Sequence, residues 1–254
     1  MSNNLFMYPF RYATGVDIGK KRTSNQDEII CCPEYNFFAV SDGMGGMYGG
    51  AETSAMIAKT LPLFIREAYK ELKMSPSPEF ATQLLNDQLC LISDNIYETL
   101  NRAGSKHTHG ATLCGVWLVG NHAVFINLGD SRGYLLGYYK RHISQITKDH
   151  NIAATLVANG DLTSEEARYH SSSASLTRFV GMEKPAAPEV FILKVGAGDR
   201  LLLCSDGLSG MVEDNRITNL LRSSKSPNRV IHRLIDEANH VGGRDNISVI
   251  YIKL

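Results

Sequence analysis

The sequence lacks a charge imbalance, a long apolar run and a signal-type amino terminus. Its 254 residues contain 26 Lys and Arg against 26 Asp and Glu, so the overall charge does not favour nucleic acid or an anionic membrane as a partner. No segment approaches the roughly 18 uninterrupted apolar residues that a membrane helix needs, and residues 1–10 have no secretory pattern. We therefore expect a cytoplasmic protein that binds neither nucleic acid nor membrane.

The sequence also has few cysteines and lacks several well-known catalytic motifs. The 5 cysteines are odd in number and show no paired metal-type spacing, which favours buried reduced thiols over disulfides. The adjacent Cys31 and Cys32 leave a redox switch open. Neither a Gly-Lys-Ser/Thr phosphate loop nor a Gly-x-Ser-x-Gly elbow is present, which argues against nucleotide triphosphatases and α/β-hydrolases.

The order of predicted elements indicates one α+β domain over residues 1–254. Strands cluster in blocks and helices in pairs, so we predict two packed antiparallel sheets with helices outside. The first predicted helix has an apolar stripe that extends to Leu72, and Pro62 is predicted to kink it. The second predicted helix is capped by Ser77 and ended by Gly104. The predicted strands cover 13–19, 28–32, 36–40, 111–119, 122–128, 133–139, 190–195, 200–204 and 247–252. The later helices cover 151–159, 215–221 and 227–238, and 164–168 is predicted as a further turn.

Four aspartates stand at the ends of predicted strands, close to glycine. The first strand of this kind is predicted to stop at Ser41 and Asp42, and Asp130, Asp206 and Asp245 occupy similar places. Singly, each is also an ordinary turn residue, so Asp42 and the following glycine alone are balanced between a turn and a metal site. Four carboxylates without accompanying His or Cys favour magnesium or manganese on one rim of the sheets.

A cation and another carboxylate near the chain start extend this set. Arg22 provides a planar guanidinium that can hold a phosphate oxygen pair, and Asp27 lies five residues later. Several aspartates, two hard cations and an arginine suit the hydrolysis of a phosphate ester, since two metals activate a bridging water and offset charge on the phosphoryl group. A covalent nucleophile is then unnecessary.

Eight short segments also follow one another in a recognisable order. They are Arg22-Thr-Ser-Asn-Gln-Asp27, Asp42-Gly-Met-Gly-Gly46, Gly110-Ala-Thr112, Gly129-Asp-Ser-Arg132, Thr147-Lys-Asp-His150, Leu176-Thr-Arg178, Ser205-Asp-Gly207 and Gly243-Arg-Asp-Asn246. From about Thr14 onward this order resembles the metal-dependent serine/threonine protein phosphatases of type 2C, bacterial stand-alone branch. The resemblance implies a central β-sandwich of two antiparallel sheets flanked on both sides by pairs of antiparallel helices (α-β-β-α), with a flap over about 151–181 beside the cleft.

The resemblance also implies a set of metal ligands. Asp42 is similar to the carboxylate that bridges two Mn²⁺ or Mg²⁺ ions, with the carbonyl of Gly43 on the first metal. Asp206 and Asp245 would bind the second metal, and Asp130 together with Asp206 a third, weaker one. The implied reaction is attack of a metal-bridging water or hydroxide on phosphoserine or phosphothreonine esters.

Three residues would take part in catalysis, and one position departs from the animal relatives. Arg22 would bind the substrate phosphate and Asp27 would orient metal-bound water, while Asp42 bridges the metals. Met44 stands where animal relatives have a histidine, and a thioether cannot donate a proton. Our hypothesis is that a metal-bound water protonates the leaving oxygen, since His109 and His150 are more consistent with structural roles.

The flap is the part in which the resemblance is weakest. Its serine-rich middle, residues 171–175, differs from the more usual Pro- and Arg-containing sequence, and the polar passage 169–175 is predicted to be mobile and exposed. The expected partner is a phosphorylated protein, either a serine/threonine kinase or its target, and we expect a monomer. The alternatives are a pseudophosphatase that binds without turnover and a phosphatase of small phosphate esters.

Overall fold

The computed structural model describes residues 6–71, 76–101, 109–183 and 185–254. The predicted roles of Leu72 and Gly104 lie outside these residues. The strands are β1 (Arg11–Asp17), β2 (Asp27–Cys32), β3 (Phe37–Met44), β4 (Gly110–Ala111), β5 (Leu113–Val119), β6 (His122–Leu128), β7 (Arg132–Leu136), β8 (Ser144–Gln145), β9 (Glu189–Lys194), β10 (Arg200–Cys204) and β11 (Ile247–Lys253). The helices are α1 (Gly46–Glu71), α2 (Pro78–Ile96), α3 (Ile152–Asn159), α4 (Ser164–Tyr169), α5 (Asp206–Ser209), α6 (Asp214–Arg222) and α7 (Pro227–Val241).

The strands form two antiparallel sheets. One has the order β1-β11-β10-β7-β8, and the other has the order β2-β3-β5-β6-β9 with β4 added beside β3. The named strands all pair antiparallel, and β5 and β6 are joined by a hairpin in which Gly120 has a φ of 59°. That backbone conformation favours glycine.

Three apolar layers hold the sheets and helices together. Alternate residues of each strand face opposite sides, so the inner faces meet in a layer that includes Phe38, Phe125 and Ile250. The outer face of the β2-β3-β5-β6-β9 sheet packs on α1 and α2 through residues such as Trp117. The outer face of the other sheet packs on α6 and α7 through residues such as Tyr251. The predicted α+β sandwich with helices on both sides is confirmed.

Several local predictions differ from the structure. The strand predicted to stop at Ser41 and Asp42 continues to Met44, because Asp27 pairs with Asp42 on one side and Ala111 pairs with Gly43 on the other. These bonds come from distant parts of the chain, which a local apolar pattern does not record. Pro62 lies inside α1, which continues through it as one helix.

Two short elements were not predicted, and one segment was predicted as irregular. Strand β8 has only two residues, and the one-turn helix α5 begins at Asp206, where a strand-end turn was expected. The passage 169–175 contains a 3₁₀ turn, Ser171–Ala174, whose residues range from half-buried to exposed. His170 precedes this turn, and its ring nitrogen accepts a hydrogen bond from the backbone N–H of Ser172.

The ends of the strands bring the acidic segments together. The predicted site residues lie beside the first residues of β2 and β11 and beside the last residues of β3, β6 and β10. Because neighbouring strands are antiparallel, these starts and ends meet at one edge of the sandwich. Among the described helices, none combines the length and the apolar character that crossing a membrane requires.

Candidate active site

A cleft of about 480 Å³ opens at this edge of the sandwich. It is bordered by the end of β3, the start of α5, the loop before β11 and the middle of the predicted flap. Six of the seven predicted site residues line it, Gly43 among them, and Asp27 does not. The lining residues are Arg22, Thr23, Ser24, Gln26, Asp42, Gly43, Met44, Gly45, Thr112, Asp130, Ala174, Leu176, Asp206, Asp245 and Asn246.

Asp42 is held by hydrogen bonds from the neighbouring segment. Its backbone N–H donates to Thr112 Oγ1 at 3.0 Å, and the hydroxyl of Ser41 donates to the Thr112 carbonyl at 2.7 Å. Thr112 Oγ1 also lies 2.7 Å from Ser131 Oγ, next to Asp130. Thr112 therefore joins the backbone of one predicted metal ligand to the loop that carries another.

The glycine after Asp42 lies where backbone segments approach closely. The Gly43 N–H donates to the Gln26 carbonyl at 3.1 Å. A Cβ at this position would collide with the carbonyl of Gly50 and with that of Gln26. A side chain would therefore push β3 away from the start of α1, so this close packing requires glycine.

Asp27 lies behind the cleft lining and is almost fully buried, with 5% of its surface exposed. The hydroxyl of Ser205 donates to Asp27 Oδ2 at 2.9 Å and accepts from the backbone N–H of Ser248 at 2.9 Å. The other oxygen, Oδ1, has no hydrogen-bond partner among the described residues. Asp27 therefore has one oxygen fixed by the protein and one available to a group in the site.

Arg22 and Asp245 face each other at the mouth of the cleft. Arg22 Nη2 donates to Asp245 Oδ2 at 2.6 Å, and the two side chains are 53% and 30% exposed. This hydrogen bond raises the pKa of Arg22 above its ordinary value. Arg22 was predicted to bind substrate phosphate and Asp245 to bind metal, so each predicted role requires this pair to open.

The loop that carries Arg22 is fastened by Asn246, which is buried. Asn246 Oδ1 accepts from the backbone N–H of Gln26 at 2.9 Å. Its Nδ2 donates to the carbonyls of Ile18 and Ser24 at 2.9 and 3.0 Å. Asn246, Ser205 and Thr112 were not predicted as site residues. Each lies inside one of the eight recognised segments, but a hydrogen bond between distant segments leaves no local pattern.

Burial and mutual repulsion raise the pKa values of the cleft carboxyls. The pKa of Asp42 is raised well above its ordinary value by burial, and further by Asp27, Asp206 and Asp130. Burial followed by Asp245 and Asp27 raises the pKa of Asp206 to about 6. Burial followed by Asp206 raises that of Asp130 as well. A positive charge among the carboxylates would therefore favour the ionised form of this cluster.

The donor chemistry of the cleft fits a hard divalent cation. Carboxylate and carbonyl oxygens are the ligands that Mg²⁺ and Mn²⁺ prefer, and Asp206 Oδ1 is buried with no hydrogen-bond partner among the described residues. In the described part of the chain, no three acidic, thiol or imidazole groups lie as close together as the ligands of one bound ion. The carboxylates stay apart because like charges repel, and the cation beside them, Arg22, is paired with Asp245.

His150 has a structural position outside the cleft lining. It is 5% exposed, and its Nδ1 accepts from the backbone N–H of Gly129 at 3.1 Å. Burial and the nearby Arg178 lower its pKa below the ordinary value. A neutral His150 that accepts through Nδ1 thus orients the loop before Asp130.

The predicted flap contains α3, α4 and the 3₁₀ turn, and it reaches the cleft through Ala174 and Leu176. Helix α4 begins with a capping box, in which Thr163 and Glu166 are bonded to each other. Arg168 Nη2 donates to the carbonyl of Ser209, at the end of α5, at 2.9 Å. The flap therefore contacts the helix that begins with Asp206.

Comparison with known proteins identifies the family. The family model described as protein phosphatase 2C matches residues 15–244. The chain therefore belongs to the protein phosphatase 2C family, and the predicted enzyme class, a protein serine/threonine phosphatase, is confirmed.

The similar proteins are bacterial phosphatases. The serine/threonine phosphatase Stp of Listeria welshimeri is 31% identical over 84% of this chain and 82% of its own length. The structure of PstP/Ppp from Mycobacterium tuberculosis is 31% identical, covers 96% of this chain and 98% of its own, and has a TM-score of 0.80. PppA of Pseudomonas aeruginosa, described as a key regulatory component of T6SS, is 27% identical over 98% of both chains, with a TM-score of 0.83.

Proposed function

We propose that this phosphatase depends on two Mn²⁺ or Mg²⁺ ions held in the cleft. Asp42 and the carbonyl of Gly43, together with Asp206 and Asp245, would hold the two ions, and Asp130 with Asp206 would hold a weaker third. The proposal is supported by the oxygen-only donor set, the unpartnered Oδ1 of Asp206 among the described residues and the mutually raised pKa values. A structure of the PstP catalytic domain, 30% identical with a TM-score of 0.78, is described as a complex with 2 manganese ions.

The chain's own residues would then bind and orient the reactants. Bound divalent cations would supply Lewis acidity, which activates water and offsets negative charge on a phosphoryl group. Arg22 would hold phosphate oxygens through two parallel hydrogen bonds in place of its ion pair with Asp245. Asp27 would accept a hydrogen bond from the attacking water through Oδ1, while Ser205 fixes Oδ2.

The substrate class would be phosphoserine and phosphothreonine in proteins. The relatives are named as serine/threonine phosphatases, and the cleft is bordered by Ala174 and Leu176 of the flap. We propose that the enzyme acts as a cytoplasmic monomer that opposes a serine/threonine kinase, either on the kinase or on its target. The carboxylates Asp27, Asp42, Asp130, Asp206 and Asp245 favour this function over a binding module without turnover, which needs no complete acidic set.

The test is manganese-dependent hydrolysis of a phosphothreonine peptide by the wild type and the Asp206→Asn variant. Loss of a metal ligand is expected to lower kcat/KM by about 100-fold or more, since even the partners of ligands contribute 10- to 100-fold. Asp236→Asn on the exposed side of α7 is the matched control. Equal activity of all three proteins across metals would exclude the proposed metal site. Faster turnover of small phosphate esters than of phosphopeptides would favour that substrate class instead.

A further inference from the structure

Three cations form a row across the sheet at the edge opposite the cleft. Lys253 on β11 pairs in register with Arg11 on β1 and with Arg200 on β10. Their side chains lie on the face that also carries Tyr251 and packs on α6 and α7, because residues two apart on a strand share a face. Neighbouring strands are about 4.8 Å apart, so three positive charges stand side by side.

A fourth cation and a buried hydroxyl lie beside this row. Lys225, in the connection between α6 and α7, is close enough to lower the pKa of Lys253, after burial, Arg200 and Arg11. The Tyr251 side chain is 0% exposed. Burial raises the pKa of Tyr251, and the neighbouring Arg200 and Arg11 lower it again. The phenol therefore points towards the same cations.

These polar groups have no anionic partner in the described structure. No ion pair involves the four cations within residues 6–71, 76–101, 109–183 and 185–254, and the remaining residues include neither Asp nor Glu. Over the same ranges, neither Arg200 Nε nor the Tyr251 hydroxyl makes a hydrogen bond of ordinary geometry; the donor nearest the phenol is the Arg200 side chain itself, which partly offsets the rise that burial causes in the pKa of Tyr251. Asp199, which precedes Arg200, does not form an ion pair with it within these ranges; its oxygens accept hydrogen bonds from the backbone N–H groups of Tyr138 and Gly196 at 2.8 and 2.9 Å.

This arrangement costs the fold free energy unless an anion binds to it. Like charges directly opposite each other on neighbouring strands are destabilising, and a buried donor without an acceptor is more costly than a hydrogen bond is favourable. A tetrahedral oxyanion has several acceptors and negative charge, so it can bridge several such donors at once.

We propose that Arg11, Arg200, Lys225, Lys253 and the hydroxyl of Tyr251 form a second oxyanion site, of the phosphate or sulfate class, remote from the catalytic cleft. Its ligand is either free inorganic phosphate or a phosphoryl group carried by a peptide. The site is distinct from the cleft because Arg200 begins β10 and Lys253 ends β11, whereas Asp206 follows β10 and Asp245 precedes β11.

The experiment is a titration of the metal-free full chain, in EDTA and at constant ionic strength, with inorganic phosphate in one arm and a phosphothreonine peptide in the other. The Nε–H resonance of Arg200 in ¹⁵N spectra reports binding at this site, and the unfolding temperature reports stabilisation. Lys253→Gln is expected to weaken phosphate binding about tenfold or more, since hydrogen bonds to charged groups are strong. Lys59→Gln, which removes an exposed cation on α1, is the control.

Two further expectations make the result decisive. In chloride alone, Lys253→Gln is expected to unfold at the same or a higher temperature than the wild type, because charge repulsion is relieved. Its manganese-dependent turnover is expected to be unchanged. A shift of Arg200 with phosphate alone identifies the free ion as ligand, and a shift in both arms shows that a peptide-borne group also fits. The proposal is overturned if Arg200 does not respond in either arm, or if Lys253→Gln responds as the wild type does.

Discussion

The Arg22–Asp245 ion pair leads to a prediction in which one substitution has opposite effects on metal and on substrate. In the structure, the guanidinium occupies Asp245 at 2.6 Å. Metal binding by Asp245 therefore requires the pair to break, and it also brings a divalent cation close to the positive charge of Arg22. Removing Arg22 eliminates both costs, so Arg22→Gln is expected to bind manganese more tightly than the wild type.

The expected size follows from the exposure of the pair. With 53% of Arg22 and 30% of Asp245 accessible, solvent screens the interaction, and such pairs contribute about 0.2–1 kcal/mol. Manganese affinity is therefore expected to rise about 1.4- to fivefold. The lost phosphate contacts act in the other direction. A charged hydrogen bond contributes about 1.5–3 kcal/mol, so kcat/KM for a phosphothreonine peptide is expected to fall about 10- to 100-fold.

Calorimetric titration with Mn²⁺ and steady-state kinetics at saturating metal measure the two effects separately. Lys21→Gln is the matched control, because it removes an exposed positive charge one residue away. The control is expected to change neither value by more than about twofold, since solvent and salt screen an exposed charge. If Arg22→Gln binds manganese more weakly while losing activity, the reasoning is refuted, and Arg22 instead holds the loop in place.

Two further substitutions test groups that support the site. Asn246→Ala is expected to lower the free energy of unfolding by about 1–3 kcal/mol, because the buried partners lose their hydrogen bonds. Urea unfolding measures this change, and the exposed Asn219→Ala is the control; equal stability of both variants would contradict the role of Asn246. The second is His150→Asn. The pKa of His150 is lowered in the fold, so its stabilisation is complete above the unfolded-state pKa of about 6.5 and is lost as the pH falls. The variant is expected to lose less thermal stability than the wild type between pH 7.5 and 5.5, and an unchanged difference would exclude this role.

Much of the architecture is predictable because apolar alternation and turn residues record which side of each element faces the core. The cap of α2 at Ser77 is a local feature, and the structure has it where the sequence predicts it. Element ends were predicted less well. Strand β3 continues through Asp42 because its neighbours on both sides, Asp27 and Ala111, supply hydrogen bonds, and no local pattern contains that information.

The sequence by itself determined the acidic residues of the site and their family resemblance, since both depend on residue types in a fixed order. It also indicated the rim on which they meet, because strand ends of antiparallel sheets share an edge. Only the tertiary structure decided that Arg22 pairs with Asp245 and that Asn246 fastens the loop between them. The row formed by Lys253 and its neighbours at the opposite edge was likewise decided by strand register. These contacts join residues more than 50 positions apart, and their geometry is set by how the sheets pair and pack.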